Sequence, residues 1–534
     1  MSAIHVPDLK TQKYDRQLRL WAATGQTALE NAKVCLLHAT STGCEIIKNL
    51  VLPGVGSVTI VDSAVVSQND IQNNFFLEPD NAGHSKACST AALLKELNDD
   101  VATSFVQKSV EDIIHNDPDF FASFDMIIAT NVAEKETIAL SDICEKINKT
   151  VIYVQSRGLC GIFRIQAPEH TIIETHPENV VDLRLGCPFK QLSAHVDGYD
   201  LDKLDQTDHG HVPFVVVMLK YLNIWKETHG GEPPKNYSER NEFKNLIKSG
   251  MKTADEENFE EAIANVWRLS SSDTVTSNVR DIFQDPACEH ITDKTSNFWI
   301  IARAVRDFVA NEGEGQLPLP GKLPDMKSDT KNYVQLQNVY REKSLQDLES
   351  VKQRVHKLLE TVNLPADSIP DSMIEGFCKN AAHIKVIRYR SLRQEYTEQR
   401  SDKLKSWLEQ DENIAFYIIF RAAEKFAQEK NRYPGSQGGD NVADITLLQQ
   451  LVAPTLTEMG VPEAEAKELA TEKTLEKAAT NYVRFADQET ANIAALMGGL
   501  VAQEAIKLIT KQYIPVNNTC IFNGIASTSK VYEL

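Results

Sequence analysis

Residues 32–62, AKVCLLHATSTGCEIIKNLVLPGVGSVTIVD, constrain the fold more than any other stretch of the chain. Two short apolar runs rich in β-branched residues, 34–37 and 58–61, bracket a segment whose apolar residues recur at helical spacing over 44–52. Runs this short read as buried parallel strands. Strand, tight loop, helix and strand in that order make a βαβ unit.

The loop of this unit carries the next constraint. A Rossmann unit that binds a nucleotide opens its helix with G-x-G-x-x-G, so that bare backbone can approach the phosphates and the helix N-terminus can hold them. Here the three glycine positions hold His38, Thr40 and Gly43. Gly43 is the glycine that serves close packing of helix on strand, and the two that admit phosphate are gone. The sequence therefore predicts a Rossmann-like architecture kept and a nucleotide site lost. A helix and sheet that never held a nucleotide would account for the fold equally well.

Length and charge narrow the partners. At 534 residues the chain exceeds one core and divides into roughly three or four structural units. Its 75 acidic against 56 basic residues leave a formal charge of −19, with no cluster of Lys and Arg dense enough for a nucleic-acid or lipid footprint. The opening residues, MSAIHVPDLK, lack the apolar stretch of a secretory signal, and no segment reads as a bilayer span of about 20 apolar residues. Nine cysteines lie scattered without a C-x-x-C pair. That pattern predicts reduced thiols, a cytoplasmic or nuclear location, and no structural zinc.

Along the chain, residues 11–31 read as a helical arm ahead of the first strand, broken at Gly25. Arg16 and Arg19 stand out on it, and the plainest pairing is Asp15 with Arg19 one turn on. A helix over 86–98 and strands at 103–106, 126–130 and 150–155 continue the alternation of a doubly wound parallel sheet. Two short strands within 159–174 are expected as antiparallel additions to its edge. Helical periodicity then dominates 175–483, over 212–225, 259–269, 298–309, 343–362 and 413–428. In the fourth of these, Leu345, Leu348, Val351, Val355, Leu358 and Val362 follow three- and four-residue steps. Glycine and proline over 312–324 preclude a helix and read as a hinge, 434–440 reads as a loop, and the acidic run 255–261 as a solvated helix start. Past 484 the α/β character returns, with a long apolar helix over 491–509 in which Gly498 and Gly499 admit close packing, then strands at 519–522 and 528–534. The expected division is 1–174 and 484–534 for the sheet domain, with 175–483 as a helical insertion.

Several motifs, taken in order, carry a family resemblance. They are KYDRQLRLW, GCEIIKNLVLPGVGSVTIVD behind the degenerate loop, NNFFLE, THPENVVDLRL, FWIIARAVRDFVANEGEGQLPLPGKLPDM, VQLQNVYREK and GGLVAQEAIKLITKQYIPVNN. The series resembles the activating enzymes of ubiquitin-like modifiers over almost the whole chain. Within that family the likeness is greatest to the regulatory, non-catalytic subunits of heterodimeric neddylation-activating enzymes. The resemblance implies an α/β, ThiF/MoeB-like adenylation domain interrupted by a region similar to the family's catalytic-cysteine domain. It also implies the silent member of a pseudo-symmetric pair, in which the partner binds ATP, magnesium and the modifier's C-terminal glycine.

Departures from the family pattern agree with silence. The family's D-x-D stands here as Asp62, Ser63, Ala64, and alanine cannot ligate a metal. In N-x-N-R-Q-F the arginine and glutamine are missing, since Asn73 and Asn74 directly precede Phe75. One element matches. Arg16 occupies the position of the arginine that reaches across the dimer to the partner's ATP phosphates, a role suited to a permanently charged bidentate group. The resemblance places the reacting cysteine on the partner, and nothing beside Cys187, Cys288 or Cys378 points to an activated thiol here, while Cys35, Cys44 and Cys520 read as core.

Two further groups are weighed. Asp208, His209 and His211 lie too close together, with no distant fourth ligand, for a metal site and read as a surface or interface turn. Tyr333, Leu336, Asn338, Val339 and Tyr340 read either as helical core or, by the resemblance, as contacts to the catalytic partner, and the partner interface is preferred for them and for His211. The partners implied are the catalytic subunit, the modifier, a conjugating enzyme reached through the complex, and the tail of the amyloid precursor protein. The expected function is regulatory, in support of adenylation and thioester formation ahead of cullin modification. Its rivals are a self-sufficient adenylating enzyme or dinucleotide oxidoreductase, and an adaptor without catalytic role.

Overall fold

The computed structural model describes residues 9–178, 181–270, 275–398, 400–436, 439–485 and 488–534. The reading of the first eight residues and the middle of the 434–440 loop lie outside them. The chain divides into two compact units, one of residues 1–170 and 387–534, the other of residues 171–386.

The first unit is built on an eight-stranded sheet. In chain order its strands are β1 Lys33–Leu37, β2 Ser57–Val61, β3 Ala102–Val106, β4 Met126–Thr130, β5 Thr150–Arg157 and β6 Cys160–Gln166. After β7 His170–Ile172 and β8 Lys385–Ile387 come β9 Thr519–Asn523 and β10 Thr528–Tyr532. The spatial order is β10-β9-β6-β5-β4-β1-β2-β3, with β1 to β5 mutually parallel and β6, β9 and β10 added antiparallel. Strand alternation divides the apolar side chains between two faces. Val34, Leu36, Ile128 and Ile152 face one core, and Cys35, Leu37, Ile127 and Val151 the other. Burial on both sides is what a parallel sheet flanked by helices requires.

Every strand expected from the pattern is present, with one change of role. The strand at His170–Ile172 pairs with Lys385–Ile387 in a separate two-stranded sheet and does not extend the large one.

The domain boundary departs further from expectation. The chain rejoins the sheet unit at Ile387, almost a hundred residues before 484. Helices such as Asn413–Lys430 and Lys473–Phe485 bury Ile414, Ile418, Leu475 and Tyr482 in one cluster with Cys160, Ile162 and Ile521 of β6 and β9. Helical periodicity reports an apolar stripe but not the surface that covers it. The stretch 387–483 therefore reads as part of the helical insertion although it belongs to the sheet.

The second unit is mainly helical, and the 32-residue helix Thr330–Thr361 supplies residues to both of its cores. Leu336 and Tyr340 join one, Val351, Val355 and Leu359 the other. The expected stripe was offset at its start, since Leu345 is 53 % exposed. The Gly/Pro segment after Asn311 is non-helical as expected but is packed rather than a hinge. Leu317 and Leu319 are buried, and the Leu319 N–H donates to Asp347 Oδ2 at 3.0 Å. In the acidic run, Glu256 is buried too, paired with His209 at 2.6 Å, so that run is only partly solvated.

Helix Ala491–Thr510 is long and apolar enough, by length and composition alone, to cross a membrane, contrary to the sequence reading. It is instead a core helix. Met497, Val501 and Ala505 pack in one cluster with Ile46, Ile47 and Leu50 of helix Ser41–Val51. Gly498 makes the approach possible: a Cβ there would stand 2.5 Å from Glu45 Cβ and 2.9 Å from the Glu45 carbonyl carbon. Gly499 faces open space, so only one of the two glycines does what the sequence reading gave to both. We expect Gly498→Ala to destabilise the chain by about 1–3 kcal/mol through overpacking. Gly499→Ala should stabilise it by up to about 1 kcal/mol through helix propensity. Denaturant midpoints of the two variants check both signs.

Candidate functional site

The carboxyl end of β1 and the N-terminus of helix Ser41–Val51 form the place where this type of sheet binds nucleotides. His38 follows β1 with φ of 63°, the left-handed backbone that a glycine adopts freely. The turn has thus kept the conformation of the glycine it lost. Its Nδ1 lies 3.2 Å from the Thr130 carbonyl oxygen. Thr40 is the N-cap, and its hydroxyl accepts from the Gly43 N–H at 3.0 Å. Gly43 itself is required by close approach, because a Cβ would meet the His38 carbonyl oxygen and Thr130 Oγ1 at 3.0 Å each.

A second donor of the first turn is also taken. The Thr42 N–H donates to Glu489 Oε2 at 3.0 Å, and Asn131 Nδ2 donates to Glu489 Oε1 at 2.8 Å. Glu489 is 9 % exposed and is bridged to Gly158 beyond β5, whose N–H donates to the Gln488 carbonyl at 2.8 Å. A carboxylate of the chain itself therefore stands where a phosphate would meet the helix. Burial pushes its carboxyl above the ordinary 4.5, although the Thr42 N–H and the Arg157 charge pull the other way.

The metal side of the cradle is equally unsuited. Asp62 is buried, and its two oxygens accept from the Ala39 and Ala64 N–H groups at 2.9 and 2.8 Å, so the carboxylate ties loop to loop. Ala64 presents only a methyl group. Asn74 is spent inside, donating to Cys44 Sγ at 3.2 Å and accepting from the Phe76 N–H at 3.0 Å. The residues at this position do not fit a nucleotide with magnesium.

Arg16 lies on the arm helix Asp15–Asn31, exposed, and has no ion pair or hydrogen bond to another described residue. Arg19 pairs with Asp15 at 2.9 Å, the i, i+4 contact expected of it. The break in the arm falls at Trp21 and Ala22 and not at Gly25. Gly25 serves a different need, since a Cβ there would stand 2.8 Å from Trp21 Cβ.

The expected interface group divides. Leu336 and Tyr340 are fully buried in the helical unit, and Tyr340 Oη donates to the Leu183 carbonyl at 2.6 Å, so neither can meet a partner. Their i, i+4 spacing puts both on the inward stripe. Val339 packs half-buried against the same core, Tyr333 is half-buried, and Asn338 and His211 are exposed. His209 is internal, stacked 4.8 Å from Phe259 and paired with Glu256. Among the described residues no cluster has the make-up of a metal site.

Where thiols are perturbed, burial raises them: Cys288 and Cys520 to about 11, Cys44 and Cys378 to about 12. That is the reverse of an activated nucleophile.

Sequence reasoning missed Glu489 and Asn131. The Thr42–Glu489 contact spans 447 residues, and an isolated glutamate ahead of a helix carries no local signal.

A family model described as "ThiF family" matches residues 14–533. The chain is 42 % identical to a Xenopus laevis protein named "NEDD8-activating enzyme E1 regulatory subunit", over 99 % of both chains. It is 40 % identical to its Danio rerio namesake over 98 % of this chain and 99 % of that one. A Drosophila melanogaster protein of the same name is also 40 % identical, over 98 % of each.

The raised Glu489 carboxyl generates a prediction. The folded state keeps that proton to higher pH than an unfolded glutamate, so stability falls as pH rises from 4.5 through the raised value, and the loss is complete above it. Glu489→Gln mimics the protonated form. Its stability relative to the parent should rise with pH above 4.5 and level off once the raised value is passed, measured by denaturant unfolding over a pH series. A difference that falls with pH would show the charge itself to be stabilising.

Proposed function

The chain belongs to the ThiF family and, within it, to the NEDD8-activating enzyme E1 regulatory subunits, and from that premise we propose that it works as a silent adenylation half completing the site of a catalytic partner. The observation that carries this reading is the filled cradle. Two donors of this helix N-terminus are already committed, the Gly43 N–H to Thr40 and the Thr42 N–H to Glu489, so a phosphate would have to displace groups of the chain itself. What remains available is the outer surface, and on it the exposed Arg16, unpaired among the described residues.

In the proposed complex the catalytic subunit holds ATP, magnesium, the C-terminal glycine of NEDD8 and the reacting cysteine. Arg16 enters from this chain toward the nucleotide phosphates. The modifier's carboxylate attacks the α-phosphorus, an acyl-adenylate forms, and pyrophosphate leaves. A guanidinium suits the developing charge because it is permanently ionised and donates from a planar fork. The partner's thiolate then displaces AMP to give the thioester, from which a conjugating enzyme takes the modifier toward cullins. This chain supplies no nucleophile. Recruitment of the amyloid precursor protein tail, and residence in cytoplasm and nucleus, rest on family likeness alone and belong to the same proposal.

Pyrophosphate exchange by the purified heterodimer tests the central step. Arg16→Ala is expected to slow exchange by about 100-fold, in the range of other single donors to developing charge, with the complex still assembled on size exclusion. Exchange at the parental rate would remove the role from Arg16. Equilibrium dialysis of the isolated chain against ATP should give no binding, whereas saturable binding would favour a self-sufficient adenylating enzyme.

A further inference from the structure

The arm that carries Arg16 is anchored at both ends of one short segment. At its start, Tyr14 is only 2 % exposed. Its hydroxyl donates to Asp100 Oδ2 at 2.9 Å and accepts from Asn98 Nδ2 at 3.0 Å, which also donates to the Val51 carbonyl at 2.8 Å. Lys13 Nζ reaches Asn98 Oδ1 and Asp100 Oδ2 at 2.5 and 2.7 Å. Lys13 and the Tyr14 hydroxyl together hold the Asp100 carboxyl below its ordinary range. Gly54 has φ of 87°, and a Cβ there would stand 2.8 Å from the Tyr14 hydroxyl oxygen. The ring thus fills a slot that only glycine leaves open.

At the far end Trp21 is nearly buried. Its Nε1 donates to Gln26 Oε1 at 3.1 Å, and Gln512 Nε2 donates to the Trp21 carbonyl at 3.1 Å. The backbone leaves the helix there, with Ala22 at φ of 56°. Between the anchors the helix is in register, the Leu18 N–H donating to the Tyr14 carbonyl at 3.0 Å.

Tyr14 is the N-cap just ahead of this helix, with φ of −106° and ψ of 14°, and it is buried whereas Arg16, the second residue of the helix, is exposed. On the reading of Arg16 given above, we propose that Tyr14 is a positioning residue for the in-trans arginine. With Asn98, Asp100 and Gly54 it fixes the backbone from which the guanidinium projects, so its ordering entropy is lost on folding and not in the transition state. Tyr14 acts only through Arg16.

A double-mutant cycle on the reconstituted heterodimer tests this, with kcat and KM for ATP in pyrophosphate exchange as readouts. Tyr14→Ala is expected to lower kcat about tenfold with KM for ATP nearly unchanged, and to add nothing in the Arg16→Ala background. Tyr14→Phe, which keeps the ring in its slot, should restore most of the rate and guards against a misfolded alanine variant. Additive losses from Tyr14→Ala and Arg16→Ala would overturn the inference and make Tyr14 merely structural. A full-rate Tyr14→Ala enzyme beside a slow Arg16→Ala enzyme would overturn this inference alone. An Arg16→Ala enzyme at full rate would overturn the reading of Arg16, and this inference with it.

Discussion

At the N-terminus of helix Ser41–Val51 the buried carboxylate of Glu489 meets the Thr42 N–H, and the surrounding sheet unit depends on how that charge is balanced. Taking a carboxylate out of water costs several kcal/mol even after relaxation. Against this stand charge-assisted hydrogen bonds of about 1.5–3 kcal/mol each and a helix-end field worth up to about 2 kcal/mol. The upward direction of the Glu489 titration says that desolvation is the larger quantity. The contact therefore gives its helix end an occupant and excludes others at some cost in stability. A phosphate approaching the same turn would have to displace a covalently tethered carboxylate, and His38 and Ala64 offer it no compensating contact.

That contact also explains why the chain must return to the sheet after its long excursion. Glu489 lies just ahead of helix Ala491–Thr510, which packs through Gly498 on the helix whose end Glu489 fills. β9 and β10 then complete the sheet beyond β6. Helix, cap and edge strands come from one short stretch of sequence and close the unit together. The helices of 387–485 cover the face that β6 and β9 would otherwise expose. The sheet unit is thus assembled from both ends of the chain.

The arm shows the converse arrangement, where interior contacts serve an exterior group. Tyr14 and Trp21 are held by Asn98, Asp100, Gln26 and Gln512, which lie far apart in sequence, and the reward of that packing is a guanidinium facing solvent. Arg19, three residues on, has its partner within the helix and is correspondingly quiet. Of two arginines with identical chemistry, a local carboxylate meets Arg19 and, among the described residues, none meets Arg16.

Local pattern determined much of this protein. Short β-branched runs, apolar residues at helical spacing between them and a packing glycine at Gly43 specify the βαβ unit, because strand and helix patterns act over a few residues. The departures at His38, Thr40 and Ala64 were likewise legible, since the first two put side chains where phosphate needs bare backbone and the third lacks the oxygen that a metal needs. Tertiary structure alone decided the rest. It assigned 387–483 to the sheet, sent Leu336 and Tyr340 inward, and brought Glu489 to Thr42 across 447 residues. An apolar stripe or a lone glutamate states what must be buried or paired, and only the folded chain supplies the surface or the donor that does it.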